Sequence, residues 1–149
     1  MPALLALAAA NAFLAAFGGT WLCTQRAPGP LAAHSTWTIA ATTDGSWVSV
    51  RRDARGQTEI GFVGYLPAAQ QWLYEEFQSD GGFASHTSSG PQNGVWTWTG
   101  TYTTPQRSLH GAFQWRRQGA DFRQGFGRML GPSFRELASA TCRASGAAR

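Results

Sequence analysis

Chain breakers recur at near-constant spacing through most of this sequence, and that rhythm constrains the fold more than any other feature. Gly45, Gly56, Pro67, Asp80, Asn93, Pro105, Gly119 and Gly131 stand 11, 11, 13, 13, 12, 14 and 12 residues apart. The segments between them are rich in Trp, Tyr, Phe, Val and Thr, residue types that fit a pleated, half-buried surface. Ten strands are predicted, at 20–25, 36–43, 47–53, 58–66, 70–78, 83–88, 95–103, 107–117, 121–130 and 134–143. Asp44-Gly45 and Asn93-Gly94 are two-residue hairpin signals, because both central residues of a type I′ turn need positive φ. Connections this short make sequential neighbours pair antiparallel.

The period-2 pattern is clearest in 95–103, where Trp96, Trp98, Gly100 and Tyr102 share one face and Val95, Thr97, Thr99, Thr101 and Thr103 the other. In 107–117, Leu109, Phe113 and Trp115 lie opposite His110, Gln114 and Arg116. Ten antiparallel strands in an open sheet would leave two unpaired edges, and closure removes them. The expected fold is therefore all-β, an antiparallel up-and-down barrel of about ten strands with a short N-terminal helix. A sandwich of immunoglobulin type needs Greek-key crossings and longer connections than these. With 149 residues and 43% hydrophobic side chains, one domain with one core is expected and a disordered chain is excluded.

The first 25 residues carry no charged side chain. The apolar run that opens them leads to Ala10-Asn11-Ala12, a small-x-small pattern suited to signal peptidase. We expect residues 1–12 to be a secretory signal, 13–144 the domain and 145–149 a frayed tail. The protein would then be periplasmic or secreted, with no membrane span once mature. If the end of the run stays with the domain, a short helix over 11–17 packs Phe13, Leu14 and Phe17 against one end of it. Cys23 and Cys142 lie in the first and last predicted strands. In an exported protein an even count favours a disulfide between them, pinning the seam where the sheet closes; in the cytoplasm they would be buried thiols.

Gly19-Thr20-Trp21 at the start of the first strand resembles the Gly-x-Trp opening of lipocalins and related calycins. The likeness extends through Trp47-Val48, Gly61-Phe62-Val63-Gly64-Tyr65, Gln71-Trp72-Leu73, Ser79-Asp80-Gly81-Gly82 and Val95-Trp96-Thr97-Trp98-Thr99-Gly100. The pattern is similar to that of uncharacterised small bacterial lipocalin-like families, often exported. The resemblance implies a calycin-type barrel whose closed end is plugged by Trp21 under a late arginine, with Arg143 and Arg135 as candidates. Alternation puts Arg143 opposite Cys142, so that stack would need a twist or bulge. Haem-binding barrels related to nitrobindin use a histidine ligand, and neither His86 nor His110 lies in a matching motif.

The chemistry legible from residues alone is sparse. With Trp72 and Tyr74 facing the lumen, Glu76 faces it too, as a general base or a ligand-orienting acceptor. Glu75 points the other way, so the adjacent carboxylates cannot work as a pair. His34, His86 and His110 lack metal-ligand spacing, the serines at 85–89 form no nucleophile elbow, and Gly125-Phe126-Gly127 sits in a strand pattern, where glycines mark a bulge. No cofactor is expected. All twelve basic residues are arginines scattered from Arg26 to Arg149 among eight acids, so the net charge of +4 forms no groove for nucleic acid. We expect a monomer that binds a small apolar or aromatic molecule in its lumen beside Trp72, Tyr74, Glu76, Trp96, Trp98 and Tyr102. The alternatives are a lumen enzyme (isomerase, cyclase or hydrolase) using Glu76 with Tyr74, or His110, and an envelope protein-interaction module with a filled barrel.

Overall fold

The computed structural model describes residues 1–26 and 34–146 of the chain, so the tail at 147–149 lies outside the described residues. Helix α1 (Pro2–Phe17) leads into β1 (Gly19–Arg26), β2 (His34–Ala41), β3 (Val48–Ala54), β4 (Gln57–Leu66), β5 (Gln71–Gln78), β6 (Phe83–Ser88), the two-residue β7 (Pro91–Gln92), β8 (Val95–Thr103), β9 (Ser108–Gln118), β10 (Asp121–Leu130) and β11 (Ser133–Ala144). Each long strand pairs antiparallel with the next, β6 pairs with β8 around the short β7, and β11 returns to β1. Ten long strands thus close an up-and-down barrel, each paired on both sides. Among the described residues no helix is long and apolar enough to cross a membrane.

Each expected strand forms, within a few residues at its ends, and the aromatic faces point inward. Trp96 and Trp98 on β8, Trp72 and Tyr74 on β5 and Trp115 on β9 are all buried. The Asn93-Gly94 turn has both residues at positive φ (52° and 78°), as a type I′ connection requires. Asp44-Gly45 departs from expectation: only Gly45 has positive φ, and the loop is wider, closed by the Thr42 N–H donating to the Trp47 carbonyl at 2.9 Å. The cause is the Asp44 carboxylate, which accepts from the Thr42 hydroxyl, the Ser46 hydroxyl and the Ser46 N–H and so holds a local turn of its own.

Cys23 and Cys142 are register partners on β1 and β11 and form a disulfide that spans a sequence separation of 119 residues. It staples the seam that closes the barrel. At the other strand-to-strand irregularity, Phe126 pairs with Ala138 but Gly127 with Glu136, so Leu137 is the extra residue of a β-bulge. A side chain at Gly127 would collide with the Arg135 carbonyl, which is why glycine stands there. The bulge sends Leu137 to the barrel mouth and Glu136 outward to an ion pair with Arg123.

The helix is longer than 11–17 and does more than cover an end. Its carboxyl-terminal half enters the lumen, where Ala10, Phe13 and Phe17 are buried, while Leu4 and Leu5 near its start are exposed. It stops at Gly18, whose N–H donates to the Leu14 carbonyl at 2.7 Å, and the free Phe17 carbonyl accepts from the Trp21 indole N–H at 2.8 Å. The Gly-Thr-Trp opening therefore caps the helix as well as plugging the barrel. The cation over Trp21 is neither Arg143 nor Arg135 but Arg117 of β9, 5.1 Å from the ring centroid. Arg143 points outward, 3.8 Å from Asp121, as strand alternation from the disulfide-bonded Cys142 demands.

Candidate functional site

Up-and-down connectivity divides the barrel into two ends of opposite character. The helix end carries the turns after β2, β4 and β9, and there Phe13 sits among Phe17, Trp72, Trp96, Trp98 and Trp115 at centroid distances from 5.1 to 6.4 Å. Phe13 thus occupies the middle of the lumen at this end, in contact with all four tryptophans. At the other end, beyond the turns after β3, β5, β8 and β10, the lumen opens into a cavity of about 430 Å³. Its apolar walls are Trp37, Phe113, Phe126 and Ala112, with the half-exposed Leu109 and Leu137 at the rim.

The polar lining comes from the outer turns of the same strands. Arg52 of β3 and Glu59 of β4 are register partners across a hairpin and form an ion pair at 2.7 Å, with Glu59 buried. Inward alternation on β5 continues from Tyr74 through Glu76 to Gln78. The Tyr74 hydroxyl donates to Glu76 Oε2 at 2.7 Å, Gln78 Nε2 donates to Glu76 Oε1 at 3.0 Å, and the Tyr102 hydroxyl donates to Gln78 Oε1 at 2.6 Å. One connected network thus ties four side chains of β5 and β8, facing the Arg52–Glu59 pair.

Electrostatics follow from burial. The Glu59 carboxyl is raised above its ordinary range, first by burial and then by the charge of Glu76, against the pull of Arg52. Tyr74 is pushed well above the usual phenol range by burial and by Glu76, so it stays a protonated donor. Burial holds His86 down to about 4, so its ring is neutral at pH 7. Among the described residues His86 Nδ1 and Gln124 Oε1 have no hydrogen-bond partner, although both residues are more than nine-tenths buried and line the cavity. Unpaired groups at such depth are uncommon in folded proteins and cost about 1–3 kcal/mol each.

Of the residues expected to meet a ligand, the structure brings Glu76 and Tyr102 to the cavity, with Tyr74 bonded behind Glu76. Trp72, Trp96 and Trp98 lie in the other half, against Phe13. His110 is exposed at the rim, beside the Thr101 hydroxyl at 3.3 Å. Sequence reasoning missed Arg52, Glu59, His86 and Gln124. Hairpin arithmetic could have found the first three: a turn at 55–56 sets Arg52 opposite Glu59, and one near Asp80 sets Tyr74 opposite His86. Gln124 shows itself by alternation with the buried Phe122. No protein-family model matches the chain, and no curated protein matches it. The architecture itself, a closed ten-stranded antiparallel barrel with a helix at one end, is compatible with a lipocalin-like fold.

Proposed function

We propose that the protein binds a small molecule with an apolar or aromatic body in the open half of its barrel. The observation that carries this reading is the 430 Å³ cavity whose aromatic walls surround two deeply buried, unpartnered polar side chains, His86 and Gln124. Apolar walls with a few convergent polar groups are the usual make-up of a small-molecule site. The Cys23–Cys142 disulfide supports the further proposal that the protein works in an oxidising compartment, periplasmic or extracellular, after export. Tyr74, Glu76 and Tyr102 belong to the site, and Trp72, Trp96 and Trp98 form the layer beneath it.

A lumen enzyme is the second reading, favoured by the raised Glu59 carboxyl beside Glu76. Binding accounts better for the geometry, because both oxygens of Glu76 already accept internal hydrogen bonds and Tyr74 is held as their donor. The test is a ¹⁵N NMR titration with 2-(1-naphthyl)ethanol, a neutral aromatic probe. Saturable shifts at Trp37, Phe113 and Gln124, lost when Ala84→Phe places a ring in the cavity between Glu76 and Tyr102, are the expected result. Failure of the folded wild type to show any saturable shift with this probe and with its amine and carboxylate counterparts refutes the reading.

A further inference from the structure

The cavity has a charge of its own, opposite in sign to that of the whole chain. Three of the eight acidic residues, Glu59, Glu76 and Asp80, gather at the open end of a protein whose net charge is +4. The effect is visible on neighbours: the Tyr102 hydroxyl is raised by burial and by Asp80, Glu59 and Glu76 together. Arg52 is the cation of the lining and is already paired with Glu59. Among the described residues, Glu76 has hydrogen-bond donors but no ion-pair partner. Carboxylates alone would be ordinary surface chemistry. Here they face the same space as Gln124 and His86, buried side chains with a polar atom each left unpaired. The Gln124 amide and the neutral His86 ring can each accept a hydrogen bond.

We propose that the cavity selects cationic ligands, a protonated amine carried on an aromatic body, with the ammonium group against Glu76 and within reach of Gln124 and His86. The proposal rests on the binding reading above and adds the charge class of the ligand. An ammonium supplies N–H donors and no acceptor, which suits a cavity lined by Glu76, Gln124 and His86. Trp37 and Phe113 offer ring faces to the aromatic body or to the cation. An anion of the same shape would be placed beside Glu76 with Arg52 already engaged, and low local dielectric strengthens that repulsion.

Three naphthyl probes of nearly equal shape test this by ¹⁵N NMR titration: 2-(1-naphthyl)ethylamine, 2-(1-naphthyl)ethanol and 1-naphthylacetate at pH 7. The amine is expected to bind at least ten-fold tighter than the alcohol and the acetate weakest. Glu76→Gln should reduce amine affinity about ten-fold and leave the alcohol within two-fold. Glu75→Gln, which removes the same charge from a side chain bonded to Ser85 across the sheet, should change neither. The wild-type ranking needs no variant to fold. An alcohol or acetate that binds as tightly as the amine overturns the cation proposal and leaves the binding reading standing. Absence of saturable binding by all three overturns both.

Discussion

Phe13→Ala tests whether the helix is part of the barrel core in solution. The ring is fully buried, with five aromatic neighbours from α1, β5, β8 and β9. Removing it forfeits a transfer term of about 2 kcal/mol and leaves a void on the order of 100 Å³, which at ~24 cal/mol per Å³ adds roughly another 2 kcal/mol. The rigid indoles around it cannot collapse into that space. The expected loss is therefore about 4 kcal/mol, a fall in Tm on the order of 8–16 °C for a chain of this size. Urea denaturation followed by tryptophan emission measures it, since the buried indoles report on this half of the barrel. The vacated space would be dry and apolar, so benzene at saturation should stabilise the variant by more than it stabilises the wild type, whose open cavity it can also enter. The same substitution at Leu4, which is exposed, should cost less than ~0.5 kcal/mol. A Phe13→Ala loss below 1 kcal/mol would refute the docked helix. Cleavage after Ala12 is compatible with the plug, because it would leave Phe13 as the first residue and Phe17 in place; the intact mass of exported protein reads the cut directly.

Cys23→Ser with Cys142→Ser should cost up to about 4–5 kcal/mol by the chain-entropy account of so long a closed loop, read as a shift in the urea midpoint. His86 sets an acid dependence of stability. Its folded value near 4 lies below the 6.5 of the free side chain, so the unfolded chain takes up a proton that the fold refuses. That contribution is whole above pH 6.5 and falls away as pH drops toward 4, by as much as ~3 kcal/mol. Glu59, raised in the fold, acts in the opposite sense and stabilises as pH falls, so denaturation of wild type and His86→Gln at pH 7 and 5 is compared to isolate the histidine. Oligonucleotide binding should be weak and vanish with added salt, because the arginines are scattered among acids; a salt-resistant submicromolar complex in a gel-shift assay would contradict this.

The barrel was legible in the sequence because its determinants are local. Breaker spacing sets strand length, and the alternation of Trp96, Trp98 and Tyr102 against the threonines of β8 decides which face turns inward. Pairing of the first strand with the last followed from closure, which brought Cys23 to Cys142. What escaped depends on neighbours distant in sequence. Arg117 reaches Trp21 because β9 lies three strands from β1 around the closed end, a proximity no local pattern encodes. The helix was read as a short cover for the same reason. An alanine-rich run gives no sign that Phe13 will fill the space between four tryptophans.

That filling decides where a ligand can go. Aromatic side chains facing inward can either line a lumen or fill it, and strand alternation is the same in both cases. Here the choice differs along the barrel axis. The lower layer is closed by Phe13 and Phe17 so tightly that the indole N–H groups of Trp98 and Trp115 have no acceptor among the described residues. Each costs about 1–3 kcal/mol, which the ring contacts at 4.8 to 6.5 Å through this layer offset. In the upper layer β9 carries Gly111 on the face where it next presents Phe113 and Trp115, β6 contributes only Ala84, and space remains. Rigid packing below then serves the site above: Tyr74 is stacked edge-on against Trp98 and Trp115, and its fixed hydroxyl holds Glu76 in place. A preorganised carboxylate loses little freedom when a ligand arrives. Under the proposed binding reading, the aromatic half of the barrel contributes by fixing Tyr74 and, through it, Glu76.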